Sequence, residues 1–361
     1  MKHITTFAAA VGAVTLALTG CAGGGKAAQS GEAKAELPFK ACAVSDTGGW
    51  QDKSFNESAY DGLMEAKSYL GVAVDTAESD TEDDFVGNVD KMVASDCTLI
   101  IGVGFHLEPA VHQSALQHPD RNYAMIDTTF TDGTDEAVLK NGRPLLFNAS
   151  EAAFLAGYTS AAMSKTGKVA TFGGAQIPAV AVFMDGFADG VKAYNEAKGT
   201  SVQVLGWDKE TQTGAFTDSF DDQSLGLQQA QQFIAQGADI IMPVAGPVGM
   251  GAAAAAKADG KTLIVGVDSD WYETNPQYSS IVLTSVMKEI GAAVEQAIQD
   301  SVNGKFTPEP FVGTLANGGV SLAPFHDFDA QVSDELKSEL NKLTEDIKAG
   351  TLKVESPNAP K

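Results

Sequence analysis

The sequence predicts an α/β protein of two lobes, each a parallel sheet flanked by helices, hinged as a clamshell. Three observations carry this. Short β-rich runs alternate with helical patterns along most of the 361 residues, as expected for a parallel sheet covered on both faces. The second half of the chain echoes the first. Loops rich in glycine, aspartate and aromatic residues follow the strands, where open α/β sheets bind ligands.

Taken in order, the chain begins with an address. Lys2 precedes an apolar run, Phe7 to Leu18, too short for a membrane span and read as a signal peptide. It ends in Leu18-Thr-Gly-Cys21, which resembles the bacterial lipobox, whose cysteine becomes the lipidated first residue of the mature protein. The plain alternative is an ordinary secretory signal with a chance cysteine. Small and polar residues from Ala22 to Glu36 would act as a leash. Residues 1–20 are thus expected to be a lipoprotein signal peptide and 21–37 a flexible tether. No later stretch is long and apolar enough to cross a bilayer, so the expected location is the outer face of the cell membrane, through a lipid on Cys21.

Strands are expected at Phe39–Ser45, Ala73–Thr76, Thr98–Val103, Asn122–Ile126, Val169–Phe172, Val202–Leu205, Ile240–Val244 and Leu263–Val267. Ser54-Phe-Asn-Glu57 has the form of a capping box opening a helix to about Leu70. Glu82, Asp83 and Asp84 open another, with Phe85, Val89, Met92 and Val93 on one face. Asp61-Gly is echoed by Asp185-Gly, each with a tyrosine late on its helix. Ser95–Gly104 is echoed by Gly237–Gly246. The first lobe is expected over 38–148, completed by about 279–318. The second is expected over 149–278, completed by 319–361.

Net charge is −23, with 47 Asp and Glu against 24 Lys and Arg. Such a surface repels phosphate backbones and anionic headgroups, which argues against nucleic acid and against a peripheral membrane face. Cys42 and Cys97 lie at neighbouring predicted strands, so a disulfide between them and two buried free thiols both remain open.

The predicted strand ends collect Asp46, Asp127, Asp268, the rings Phe55 and Phe216, the glycines Gly246 and Gly249, and Lys288, which is placed at the start of a helix. Two rings can sandwich a base. Carboxylates can accept from base N–H groups and ribose hydroxyls, and a lysine can donate to a ribose oxygen. A phosphate ligand would want arginines and free helix N-termini. Each residue alone also has an ordinary reading: helix cap, core ring or solvated face. Their gathering at successive strand ends favours a small neutral ligand.

Enzyme readings find little support. Gly48-Gly-Trp-Gln-Asp-Lys-Ser54 lacks the glycine before lysine of a phosphate loop, and Asp52 would repel phosphate. His106, His112, His118 and His326 have no metal-like spacing, and there is no Gly-x-Ser-x-Gly elbow. No catalytic residue, metal or cofactor is expected. A nucleosidase is the enzyme alternative.

The motifs Asp46-x-Gly-x-x-x-Asp52-x-Ser-Phe-Asn56, Ile126-Asp127, Gly186-Phe187-x-x-Gly190, Phe216-x-Asp218, Ala245-Gly246-x-x-Gly249, Gly266-Val-Asp268-x-Asp270 and Ser285-x-x-Lys288 resemble those of the basic membrane protein family. These are lipoprotein receptors of nucleoside ABC importers with a type I periplasmic-binding-protein fold, and the match runs through nearly the whole mature chain. The resemblance implies that Phe55 and Phe216 stack on the two faces of a purine. It implies that Asp46 and Asp127 bond the base edge with Asn56 nearby. Asp268 and Lys288 would hold the ribose hydroxyls, with a backbone contact from Gly246 and Asp270 as a second ribose candidate. Nucleoside ligand and ABC permease and ATPase partners follow from it. A sugar-binding receptor or a ligand sensor of the same fold is the alternative. Trp271, where the family usually has glutamine, and Pro247 depart from the pattern on the ribose side.

Overall fold

A computed structural model describes residues 39–130 and 139–360. The predicted signal peptide, the tether and Cys21 lie outside the described residues. Strands and helices alternate as β1 Lys40–Ser45, α1 Phe55–Leu70, β2 Ala73–Ala77, α2 Asp84–Ala94, β3 Leu99–Val103, α3 Glu108–Gln117, β4 Asn122–Ile126 and β5 Gly142–Phe147. There follow α4 Ser150–Met163, β6 Lys168–Gly173, α5 Pro178–Lys198, β7 Gln203–Leu205 and a small hairpin, β8 Trp207–Asp208 with β9 Thr213–Gly214. Then come α6 Gln223–Ala235, β10 Ile240–Val244, α7 Val248–Asp259, β11 Leu263–Asp268, α8 Trp271–Thr274 and β12 Val282–Lys288. The chain closes with α9 Ile290–Val302, β13 Phe311–Gly313, β14 Val320–Leu322 and α10 Asp334–Lys348.

Two six-stranded sheets result, ordered β2-β1-β3-β4-β5-β13 and β7-β6-β10-β11-β12-β14. Position by position the two orders correspond. The echoed segments occupy matching places: α1 follows β1 as α5 follows β6, and β3 sits where β10 sits. The echoed glycines serve one purpose. A Cβ on Gly62 would fall 2.4 Å from the Gly291 carbonyl oxygen, and one on Gly186 would fall 2.2 Å from that of Ser150. Each lets its helix lie against a partner, α9 and α4 respectively.

Alternation along β1 decides the layers. Ala41 and Ala43 face the larger core with α1, while Cys42 and Val44 face a smaller core under α2 and α3. Phe85, Val89 and Met92 pack into that smaller core as the periodicity predicts. Cys42 and Cys97 are joined there, with Cα atoms 5.9 Å apart. The bond ties β1 to the segment just before β3, and both cysteines are fully buried.

The boundary of the lobes differs from expectation. β12 belongs to the second sheet, and of the stretch 279–318 α9 and β13 join the first. β12 hides its nature because Thr284 and Ser285 are polar yet buried. Thr284 Oγ1 donates to the Ala323 carbonyl at 2.7 Å, and Ser285 Oγ accepts from the Trp271 N–H at 3.0 Å. β5 was also not predicted. Pro144 lies within it, and a proline ordinarily argues against a central strand.

The C-terminal tail docks on the second sheet's side. Fully buried Asp185 on α5 accepts from Trp207 Nε1 (3.0 Å) and Gln212 Nε2 (2.9 Å) near the small hairpin. It also accepts from Ser356 Oγ (2.6 Å) and Asn358 Nδ2 (2.9 Å) in the tail. Among the described residues no helix is long and apolar enough to cross a membrane.

Candidate functional site

The carboxyl ends of both sheets meet at a narrow cleft of about 80 Å³. Asp46, Phe55, Asn56 and Asp127 line it from the first sheet; Gly246, Asp268 and Lys288 line it from the second. The structure thus brings together seven of the eight predicted ligand-binding residues.

The loop after β1 is organised by Asp52. Its carboxylate accepts from the backbone N–H groups of Ser54 (2.9 Å), Asn56 (2.8 Å) and Glu57 (2.9 Å). Asp52, not Ser54, therefore caps α1, and the capping box expected from Ser54 and Glu57 does not form. These N–H groups, which a phosphate would need, are already occupied. Burial raises the Asp52 pKa, against the lowering effect of those three bonds.

Asp46 follows β1. Its Oδ1 accepts from the Gly48 N–H (3.2 Å) and Asn56 Nδ2 (2.8 Å). Burial raises its pKa, opposed by those two bonds. Gly104, at φ +110°, makes the close approach possible: a Cβ there would lie 2.1 Å from Asp46 Oδ2, and this backbone conformation also favours glycine.

Lys288 ends strand β12 and does not begin a helix. Its buried ammonium donates to Asp127 Oδ2 at 2.6 Å and lies 3.7 Å from Asp268 Oδ1. The rings of Phe183, Phe55 and Phe147 surround it at 4.9, 5.3 and 5.7 Å, a favourable arrangement for a desolvated cation. Burial pulls the Lys288 pKa down, but Asp127 and Asp268 outweigh it and the value is raised. Burial pushes Asp268 up to about 6; Lys288 opposes this, while Asp127 and Asp52 add to it.

The same groups join the lobes. Lys288 to Asp127 crosses between the sheets. Ser54 Oγ donates to Asp268 Oδ2 at 3.2 Å, and Ser269 Oγ donates to the Lys53 carbonyl at 3.2 Å. Ser54, read from sequence as a cap, is a contact between lobes.

Phe216 is the predicted residue that does not reach the cleft lining. Its ring stands edge-on to Trp207, with centroids 5.9 Å apart at 88°, and its backbone bridges Gly173. Phe220, four residues on, lines the cleft, as does Phe183 on α5. Sequence reasoning missed both. Phe183 looks like core, and Asp218 at φ +52° turns the chain between the two phenylalanines, so spacing alone does not say which ring faces inward. Asp270 is also elsewhere: it caps α8 through the Tyr272 N–H (3.1 Å) and pairs with His326 Nε2 (2.7 Å). Trp271 is fully buried, its Nε1 donating to the Val267 carbonyl at 2.9 Å. It supports the Asp268 turn from behind, whereas Pro247 lines the cleft.

Asp46, Asp52, Asp127 and Asp268 face this cleft against Lys288 and His106, a balance that disfavours phosphate. Among the described residues no group of three or more His, Cys, Asp or Glu is placed to hold a metal.

Comparison with known proteins agrees with this architecture. Residues 39–357 match the Bmp family model, described as ABC transporter substrate-binding protein, PnrA-like. The ABC transporter nucleoside-binding protein BmpA of Lactococcus lactis subsp. cremoris is 30% identical over 369 residues, covering 96% of this chain and 98% of its own. Basic membrane protein A of Borreliella burgdorferi is 30% identical over 320 residues, covering 88% of this chain and 87% of its own. A crystal structure of an ABC transporter solute-binding protein from Aeropyrum pernix K1 superposes with TM-score 0.76 at 26% identity, covering 88% of this chain and 93% of that one. With this match over most of its length, the chain belongs to the Bmp family of PnrA-like ABC transporter substrate-binding proteins.

Proposed function

We propose that this chain captures nucleosides, purine nucleosides in particular, at the outer face of the membrane and delivers them to an ABC permease and its ATPase. The carrying observation is the buried Lys288 between Asp127 and Asp268, drawn from both lobes and set beside Phe55. A ribose offers hydroxyls that can both donate to these carboxylates and accept from the ammonium. Phe55 supplies one face for the base. Phe220 takes the opposing role that the sequence gave to Phe216. Asp46 and Asn56 serve the base edge, and Gly246 gives a backbone contact. The name of the Lactococcus relative supports the ligand class. A lipid on Cys21 would hold the protein at the membrane.

Binding and release without chemistry is the mechanism. A ligand favours the closed state only through contacts that both lobes make at once. Here it would insert among groups that already bond across the cleft, replacing Lys288–Asp127 and Ser54–Asp268 contacts with its own.

Thermal-shift measurements with nucleosides, nucleobases, nucleoside monophosphates and common sugars test this. Nucleosides should raise the midpoint most. Preference for a monophosphate or a sugar overturns the reading, and release of free ribose would make the protein a nucleosidase. Mass analysis of the membrane-extracted protein tests the anchor: a mature N-terminus other than lipidated Cys21 refutes it.

A further inference from the structure

Asn56 is 1% exposed, and its Oδ1 has no hydrogen-bond partner. Its orientation is not arbitrary. Asp46 Oδ1 already accepts from the Gly48 N–H, so the Asn56 group facing it must be the amide NH₂. The Asn56 carbonyl oxygen is thereby left as a lone acceptor. Both of those bonds fall on Asp46 Oδ1, while Oδ2 lies beside Gly104. His106 Nδ1 pairs with Glu82 at 2.7 Å, and Lys288 donates to Asp127. This end of the cleft therefore offers two acceptors side by side, Asn56 Oδ1 and Asp46 Oδ2.

We propose that this pair selects bases carrying a lactam N–H edge, so that guanosine binds best, inosine next and adenosine least. The inference rests on the nucleoside reading above. Guanine presents N1–H and N2–H₂ side by side, two donors for two acceptors. Hypoxanthine presents N1–H alone. Adenine presents an acceptor at N1 beside its amino group, so an acceptor would face an acceptor and both would be desolvated without a partner. A site built to bond an N–H rejects an analogue that lacks it more strongly than shape alone could.

Calorimetry of the full mature protein with guanosine, inosine and adenosine at neutral pH tests the ranking without any variant. Adenosine is expected to bind roughly ten- to a hundred-fold more weakly than guanosine, the usual worth of a matched pair of bonds. Asp46→Asn, nearly isosteric, places an amide donor and acceptor at the same point, the combination that pairs with adenine. It should weaken guanosine and narrow or reverse the gap. Adenosine binding as tightly as guanosine to the parent protein overturns the inference and leaves nucleoside capture standing. Failure of all three nucleosides to bind overturns the underlying reading and the inference with it.

Discussion

Asp127 and Asp268 are the same position in two lobes. Each directly follows or ends the fourth strand in its sheet's order, β4 or β11. Each has a left-handed backbone, φ +65° and +67°, which aspartate tolerates better than most residues but which still marks stored strain. Both carboxylates lie against one ammonium, Lys288. Two matching turns have thus been closed onto a single cation that only one lobe supplies.

Removing that cation should be costly. Lys288→Met leaves two buried carboxylates without their counter-charge, and breaking such a pair by removing one partner typically costs about 3–5 kcal/mol. Urea unfolding gives the value. A loss under about 1 kcal/mol would mean that the aspartates escape by rehydration as the lobes part.

Acidity should reach stability through Asp268. Its pKa is about 6 in the fold against 3.8 ordinarily. Between those values the native state holds a proton that the unfolded chain has released. This group's contribution is therefore full below about pH 4 and is lost as pH rises to about 6, a swing of about 3 kcal/mol. Comparing parent with Asp268→Asn at pH 4 and pH 7 isolates it from other carboxylates. Parallel stability curves for the two proteins would refute the assignment.

Phe220 and Phe216 should separate. Phe220→Ala is expected to weaken nucleoside binding by about 1–3 kcal/mol, the usual worth of a stacked base. Phe216→Ala should chiefly lower stability, since its ring packs on Trp207. Affinity loss confined to the Phe216 variant would restore the original assignment.

The first helix should depend on Asp52 more than on Ser54. Asp52→Ala removes an acceptor for three N–H groups and should cost about 2 kcal/mol, the upper end for a cap. Ser54→Ala should cost less in stability and act on closure, read as a change in ligand dissociation rate. Equal stability losses would contradict this division.

The disulfide should stabilise by roughly 4 kcal/mol, given the 55-residue separation of Cys42 and Cys97. Comparing the parent with Cys42→Ala/Cys97→Ala by urea unfolding checks this. Unchanged midpoints would show that close packing of the smaller core alone holds β1 and β3 together.

Much of this was legible because burial writes a simple code. β1, β3, β4, β10 and β11 are nearly continuous apolar runs, as strands covered on both faces must be. Asp46, Asp127 and Asp268 stood out as charges where those runs stop. What stayed hidden depended on partners far along the chain. Ser54 looks like a cap until Asp268, 214 positions away, is seen to accept its hydrogen bond. β12 looks like a helix start until Trp271 and Ala323 satisfy its polar side chains. Phe220 was passed over because a turn at Asp218, and no periodicity, decides which ring enters the cleft.

The knot at Asp185 bears on when the molecule can form. Two of the four donors to this buried carboxylate, Ser356 and Asn358, belong to the last six residues of the chain. A growing polypeptide has only Trp207 and Gln212 to offer, so its second lobe carries an undersupplied buried carboxyl group. That lobe reaches full stability only after its end has arrived. Removing residues 356–358 would strip the Asp185 carboxylate of half its donors and leave the second lobe's fold incomplete.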